Sequence, residues 1–352
     1  MEVRRCMKCM HDLSGGIAYC PECGRAYGSV HAEPFALKPG TILNGKYLMG
    51  EMLGQGGFGI TYIGFDLLLE QKIAIKEYFP MSTGMVSREN RSTVVWSSAM
   101  MGKTGTQKGF DSFLKEARKM AKLGGIPNVV GVKSVFTQNE TAYIVMDFIE
   151  GETLLKKLQR EGPMDYGTCV SLMTPIMQAL SEVHKHGIIH RDISPDSIYI
   201  TSKGESRLLD FGAARFALGD GKSVSVILKH GYAPEEQYSS HGNQGPWTDV
   251  YAMGATLYRC ITGQLPPDSV ERIHGDTMKR PSELGFRIPA NVENAIMKAL
   301  AVKTEDRFPN MEAFIGALNG RVSVQDQVAA SISQRTQATA YRQEGYGQTA
   351  YQ

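Results

Sequence analysis

The sequence predicts an α+β chain in which a strand-rich segment leads into a helical one, with a small metal-held module ahead of both. Three observations carry this. Four of the six cysteines fall within the first 23 residues. The segments KYLMGEMLG, GITYIGFDLL and QKIAIKEYF that follow are rich in β-branched and aromatic residues and are separated by glycine-rich or polar turns, as strands are. Farther on, Val170, Met173, Met177, Leu180 and His184 recur at steps of three and four, and Gly187 stands where a helix would stop.

Taken in order, the first element is CMKC, ten residues, then CPEC. Each CxxC can place two thiolates on one tight turn, and two such turns complete the tetrahedral sulfur shell that zinc prefers, with Cys6, Cys9, Cys20 and Cys23 as ligands. A redox dithiol pair and an iron–sulfur site are the alternatives. A shell of four sulfurs is closed to substrate, so its role is structural, and a module of residues 1–27 has too little core to fold without the metal. Residues 28–41, with Pro34 and Pro39, read as a linker, and residues 42–319 form one continuous pattern. The tail, 320–352, is rich in Gln, Ala, Thr and Ser and reads as disordered, a short helix near Val328 being the alternative; Tyr341, Tyr346 and Tyr351 are its candidate contact points. Cys169 and Cys260 sit in apolar helical contexts and read as core thiols.

Composition narrows the class. With 38 basic against 36 acidic side chains and 42% hydrophobic residues, the chain is neither disordered throughout, nor collagen-like, nor a disulfide miniprotein, and its net charge of +2 selects neither nucleic acid nor an anionic membrane as a partner. No run approaches the roughly 18 apolar residues of a membrane span. Clustered cysteines without a leader point to a reducing, cytoplasmic setting.

Within LGQGGFGITY, Gly54, Gly56 and Gly59 make GxGxxG. Alone the pattern is weak, because dinucleotide-binding folds open with it too. Here the glycines lie between two strand-like segments, and IAIK follows with Lys76 on the next strand, so a side-chain-poor turn can bring backbone N–H groups over nucleotide phosphates while the lysine supplies charge.

The motifs that follow resemble, in order, those of the eukaryotic-like protein kinases, particularly bacterial Ser/Thr kinases, over about residues 45–319. Glu116 in FLKEARKMAKL matches the helix glutamate that pairs with Lys76. TAYIVMDFIEGETL matches the hinge, with Met146 as gatekeeper and Asp147 to Ile149 offering backbone groups to adenine. HRDISPDS matches the catalytic loop, Asp210 to Gly212 the metal-binding DFG turn, and Ala233, Pro234 and Glu235 the end of the activation segment. Asp249 matches the buried aspartate that anchors the loop, and Arg307 the arginine that pairs with the glutamate of that APE motif.

The resemblance implies a bilobal kinase fold, with an N-lobe over 42–146 and a C-lobe over 147–319. It implies ATP contacts from Leu53, Gly54, Gly56, Gly57, Phe58, Gly59, Thr61, Ala74, Lys76, Met146, Asp147, Ile149 and Tyr199. Asp192 would orient and accept the proton of the acceptor hydroxyl, and Asp210 and Ser197 would hold magnesium or manganese. Arg191 would dock a phosphate on the activation segment, with Ser223 and Ser225 as candidate sites.

Several departures stand out. The family's loop has a lysine that meets the γ-phosphate and an asparagine that holds the second magnesium; here those places are Ser194 and Ser197, the first of which also resembles a bacterial subgroup reading HRDISPDN. Tyr199 stands where an aliphatic floor under adenine is usual. Lys76 and Glu116 are unusually far apart, so residues 81–112 form an insertion, read as a surface loop or extra hairpin, with a regulatory element on the helix of Glu116 as the other reading. The expected function is ATP-dependent phosphorylation of protein Ser/Thr hydroxyls, including the chain's own activation segment. The alternative is a pseudokinase or nucleotide-gated scaffold, motivated by Ser197 and Tyr199.

Overall fold

The computed structural model describes residues 4–56, 59–81, 86–90, 92–96, 105–209, 228–239 and 242–321, without the side chains of 105–109, 112 and 116. Gly57, Phe58, Asp210, Ser223, Ser225 and the tail beyond 321 lie outside the described residues. The described residues divide into two compact units, one holding those of 4–124 and 130–149, the other those of 125–129, 150–209 and 228–321.

The first unit is built on an antiparallel sheet of β1 (Ile42–Leu43), β2 (Tyr47–Gly56), β3 (Gly59–Asp66), β4 (Gln71–Tyr78), β7 (Val132–Gln138) and β8 (Thr141–Asp147), in the order β1-β2-β3-β4-β8-β7. Successive strand residues point to opposite faces, and in β3 both faces are covered. Ile60 and Tyr62 join the core with Ile73, Ile75 and Tyr143. Ile63 and Phe65 pack instead, with Leu48, against Met7 and Met10 of the cysteine module.

The module is therefore docked on the sheet rather than tethered beside it. Strand β2 bulges between Met49 and Gly54, and there Glu51 N–H donates to Met7 O at 2.8 Å. Gly50 makes this approach possible, since a Cβ there would lie 2.4 Å from Met7 O and 2.3 Å from Met10 Cε. Arg25 pairs with Glu51, and the Arg5 guanidinium lies 3.4 Å from the Phe65 ring centroid. The segment read as a linker packs as well: Ala36 and Leu37 are buried, and Leu37 N–H donates to Tyr62 Oη at 3.1 Å.

The insertion contains a hairpin of β5 (Val86–Glu89) and β6 (Thr93–Trp96) that docks on the sheet. Val94 N–H and Trp96 Nε1–H donate to Asn139 O and Glu140 O, each at 3.0 Å. Arg88 reaches into the core and pairs with Glu77 at 2.5 Å, both side chains fully buried. Helix α1 (Gly105–Lys122) follows, burying Phe113, Ala117 and Met120 at helical steps. Tyr78 lies between hairpin and helix, 5.8 Å from the Trp96 ring and 5.2 Å from that of Phe113.

The second unit is mainly helical: α2 (Leu154–Glu161), α3 (Tyr166–Lys185), α4 (Pro246–Thr262), α5 (Ser269–His274), α6 (Ala290–Ala299) and α7 (Met311–Leu318). A small sheet, β9 (Gly151–Thr153), β10 (Ile198–Thr201) and β11 (Ser206–Leu208), runs in the order β11-β10-β9. Asp165 caps α3 by accepting Thr168 N–H at 3.0 Å, and α4 begins with Pro246 at its first position, where a missing N–H costs nothing. Cys169 and Cys260 are fully buried, as expected of core thiols.

One expected pairing is corrected. Arg307 pairs with Glu236, at 2.8 and 3.1 Å, and not with Glu235. The short 3-10 turn Glu235–Gln237 buries the Glu236 side chain and leaves Glu235 partly exposed, so the anchoring carboxylate lies one residue later than motif matching placed it.

Candidate active site

In the first unit several of the residues expected at the nucleotide line up on four neighbouring strands. Gly54 pairs with Thr61, Thr61 with Lys76, and Ala74 with Met146, which aligns these positions across β2, β3, β4 and β8. Gly59 is required by packing, because a Cβ there would lie 2.2 Å from Glu77 O. Leu53 is exposed beside the glycine-rich turn. Asp147 N–H donates to Gly131 O at 3.1 Å while its carboxylate pairs with Lys133 at 2.7 Å, and Ile149 is half-buried after it. Glu116 lies on α1; its side chain is among those not described. By strand alternation Thr61, Ile63 and Phe65 share a face with Ala74 and Lys76, so the cysteine module occupies the far end of the face that carries the lysine. Phe148, between Asp147 and Ile149, packs in the same cluster as Met7 and Met10.

In the second unit the loop after α3 is held from beneath by Asp249 on α4. His184 Nε2–H donates to Asp249 Oδ2 at 2.7 Å, His190 N–H to the same oxygen at 2.8 Å, and Arg191 N–H to Oδ1 at 2.8 Å. Burial alone would push Asp249 up, but the bonds from His184 and from the Arg191 backbone outweigh it and keep its pKa below the ordinary carboxylate value. Arg191 takes a positive φ of 69°, a turn that the two bonds to Asp249 and one from Gln237 Nε2–H to Arg191 O hold in place. His190 is driven toward the neutral form by burial, and its ring meets Leu209 O at 2.9 Å, one residue before Asp210.

Asp192 therefore projects from a loop whose backbone is fixed on both sides. Ser197 closes that loop: its hydroxyl donates to Ser194 O and accepts Ser194 N–H, each at 3.0 Å. Ser194 is fully buried. Tyr199 lies half-buried on β10 between Thr153 and Arg207. Sequence reasoning missed two participants. His184 was read as part of an apolar helix face, and Lys229 was not singled out, although its ammonium lies 3.2 Å from Asp192 Oδ1 and 2.8 Å from Ser194 Oγ.

The four cysteine sulfurs lie within 4.8 Å of one another, with Cys6 and Cys23 at 3.5 Å and Cys9 and Cys20 at 3.5 Å. A tetrahedron with metal–sulfur bonds near 2.3 Å has edges of about 3.8 Å, so the spacing fits zinc. Burial pushes the Cys6 and Cys9 thiols up, whereas at Cys20 it is outweighed by the backbone N–H groups of Cys23 and Glu22 and by the Cys9 thiol, which lower Cys20 to about 7. The case for zinc therefore rests on the sulfur spacing.

A family model for the protein kinase domain matches residues 47–314. The chain belongs to the protein kinase family. A probable serine/threonine-protein kinase of Clostridium perfringens is 29% identical over 79% of this chain and 38% of its own length. Serine/threonine-protein kinase F of Synechocystis is 30% identical over 79% of this chain and 56% of its own length. The chain thus spans about half the length of these relatives or less. Among solved structures, the apo form of PpkA-294 is 37% identical, with a TM-score of 0.73 over 81% of this chain and 99% of that one. The Mycobacterium tuberculosis PknI kinase domain, at 21% identity and a TM-score of 0.59 over 82% and 100% of the two chains, shares the fold. Among the described residues of this kinase no helix is long and apolar enough to cross a membrane.

Proposed function

We propose that this kinase transfers the γ-phosphoryl group of ATP to Ser/Thr hydroxyls of proteins, its own activation segment included, in the cytoplasm. The observation that carries the reading is the loop at Asp192, pinned by two backbone N–H bonds to one buried carboxylate that His184 of α3 also holds. Asp192 accepts the hydrogen bond of the acceptor hydroxyl. The hydroxyl oxygen then bonds to the γ-phosphorus as the bond from that phosphorus to the β–γ bridging oxygen breaks, ADP leaves, and the proton passes to Asp192. Lys76, steadied by Glu116, holds the α- and β-phosphates. Magnesium or manganese, when bound, neutralises charge on the phosphate oxygens. Asp210 and Ser197 would be the residues that hold it. The cysteine module is read as holding one structural zinc, because four sulfurs at tetrahedral spacing match that ion's chemistry.

The test is labelling of the purified chain, and of a generic protein acceptor, from Mg-ATP. Asp192→Asn should lower transfer by about 10²- to 10⁴-fold, since it removes the carboxylate proposed to take the proton. Equal labelling by wild type and variant would refute the role of Asp192. Mapping the incorporated phosphate should find Ser223 or Ser225; phosphate confined to other residues would remove them as activating sites. A chain that binds ATP without any turnover would instead be a nucleotide-gated scaffold.

A further inference from the structure

Phosphoryl transfer needs a fixed positive charge beside the transferring group, and the loop position where the kinase resemblance places a lysine holds Ser194. We propose that Lys229 is the missing cation, contributed by the segment leading to Glu236 in place of the catalytic loop. This inference rests on the kinase reading above.

Three observations support it. The Lys229 ammonium donates to Ser194 Oγ at 2.8 Å and lies 3.2 Å from Asp192 Oδ1, so it touches both the proposed base and the residue that replaces the lysine. Asp196 Oδ2, at 3.8 Å, is its other charged neighbour. Its backbone is held: Lys229 O accepts N–H bonds from Tyr232 and Ala233, each at 3.0 Å, and the segment is then anchored by the buried pair of Glu236 and Arg307. Finally, the fully buried Ser194 is short enough to leave this place to an ammonium arriving from elsewhere, and its hydroxyl orients that ammonium. Charge and hydroxyl have changed places between two points of the chain that meet in space.

In the transfer step the ammonium donates hydrogen bonds to a γ-phosphoryl oxygen as charge develops there, and Asp192 is released to the acceptor hydroxyl. The bonds made and broken are those already given. One consequence follows for control. A lysine on the loop would always be present, whereas this one reaches Asp192 only when the segment carrying it is seated.

The experiment is steady-state kinetics on the full chain. Lys229→Ser should lower kcat by about 10²- to 10³-fold with little change in the KM for ATP. The exchange variant, Ser194→Lys with Lys229→Ser, should recover at least about tenfold of that loss, because the cation returns from the other position. A Lys229→Ser kcat within about threefold of wild type would overturn the proposal. So would a loss that the exchange variant leaves unrelieved, whether or not the thermal midpoint also falls, since Lys229 would then be a structural residue. Absence of turnover in the wild type would overturn the kinase reading itself, and this inference with it.

Discussion

Arg88→Met should lower the stability of the N-terminal unit by about 3–5 kcal/mol, because it strands a buried carboxylate. The Arg88 and Glu77 side chains are both closed to solvent and pair at 2.5 Å. Tyr62 and Tyr143 hydroxyls donate to the same carboxylate at 2.8 and 2.9 Å, and burial together with the Glu77 charge pushes both phenols up, keeping them protonated donors. Arg88 also donates to Phe35 O at 2.8 Å and to Ser92 O at 2.7 Å, so one guanidinium ties the strand of Lys76 to the segment after the cysteine module and to the hairpin. With a folding free energy of only about 5–15 kcal/mol for an ordinary domain, such a loss is a large fraction of the total. Urea unfolding followed by tryptophan fluorescence should show it directly, since Trp96 lies in that hairpin and the other tryptophan, Trp247, lies in α4. Adding Glu77→Gln to Arg88→Met should recover part of the loss by removing the stranded charge. A single-variant effect below about 1 kcal/mol would mean that the pair is not the anchor described.

Removing the proposed zinc should have the second large effect, and it should reach the nucleotide. Metal binding supplies about 10–16 kcal/mol in zinc-finger peptides, so without it a module this small loses its fold. Met7, Met10 and Arg5 would then leave the face of β2 and β3, and Phe148 would lose its packing beside Asp147 and Ile149. Chelation or Cys20→Ser should lower the thermal midpoint and raise the KM for ATP by about tenfold, the equivalent of about 1.4 kcal/mol of binding. One equivalent of zinc per chain and the visible absorption of a tetrahedral thiolate site after cobalt substitution are the matching measurements. A Cys20→Ser chain with both the midpoint and the KM unchanged would sink the coupling.

Much of the fold and part of the site were legible in order and spacing. The paired CxxC turns, the strands around the glycines and the helix over 166–185 each carry a local pattern, and local patterns follow from covalent geometry. The placement of Asp249 beneath the loop of Asp192 was legible for the same reason, through short motifs with a mechanical meaning. Glu236 was misplaced by one residue because motif matching counts positions, whereas the 3-10 turn decides which carboxylate faces inward. Arg88 lies in a stretch that reads as a surface insertion, and nothing in VSRENRSTVVW announces that its charge will be buried against Glu77.

The sequence by itself determined that this is a protein kinase with a cysteine cluster ahead of it and that strands precede helices along the chain, and it pointed to Asp192 as the proposed proton acceptor and to four thiols as the proposed metal ligands. Only the tertiary structure decided that the module covers the sheet through Gly50 and Met10, that the insertion is stapled by Arg88, and that Lys229 meets Asp192. The physical reason is the range of the forces. Periodicity and turn chemistry act over a few residues, whereas a buried ion pair or an ammonium beside a carboxylate depends on atoms that the chain brings together only when it packs.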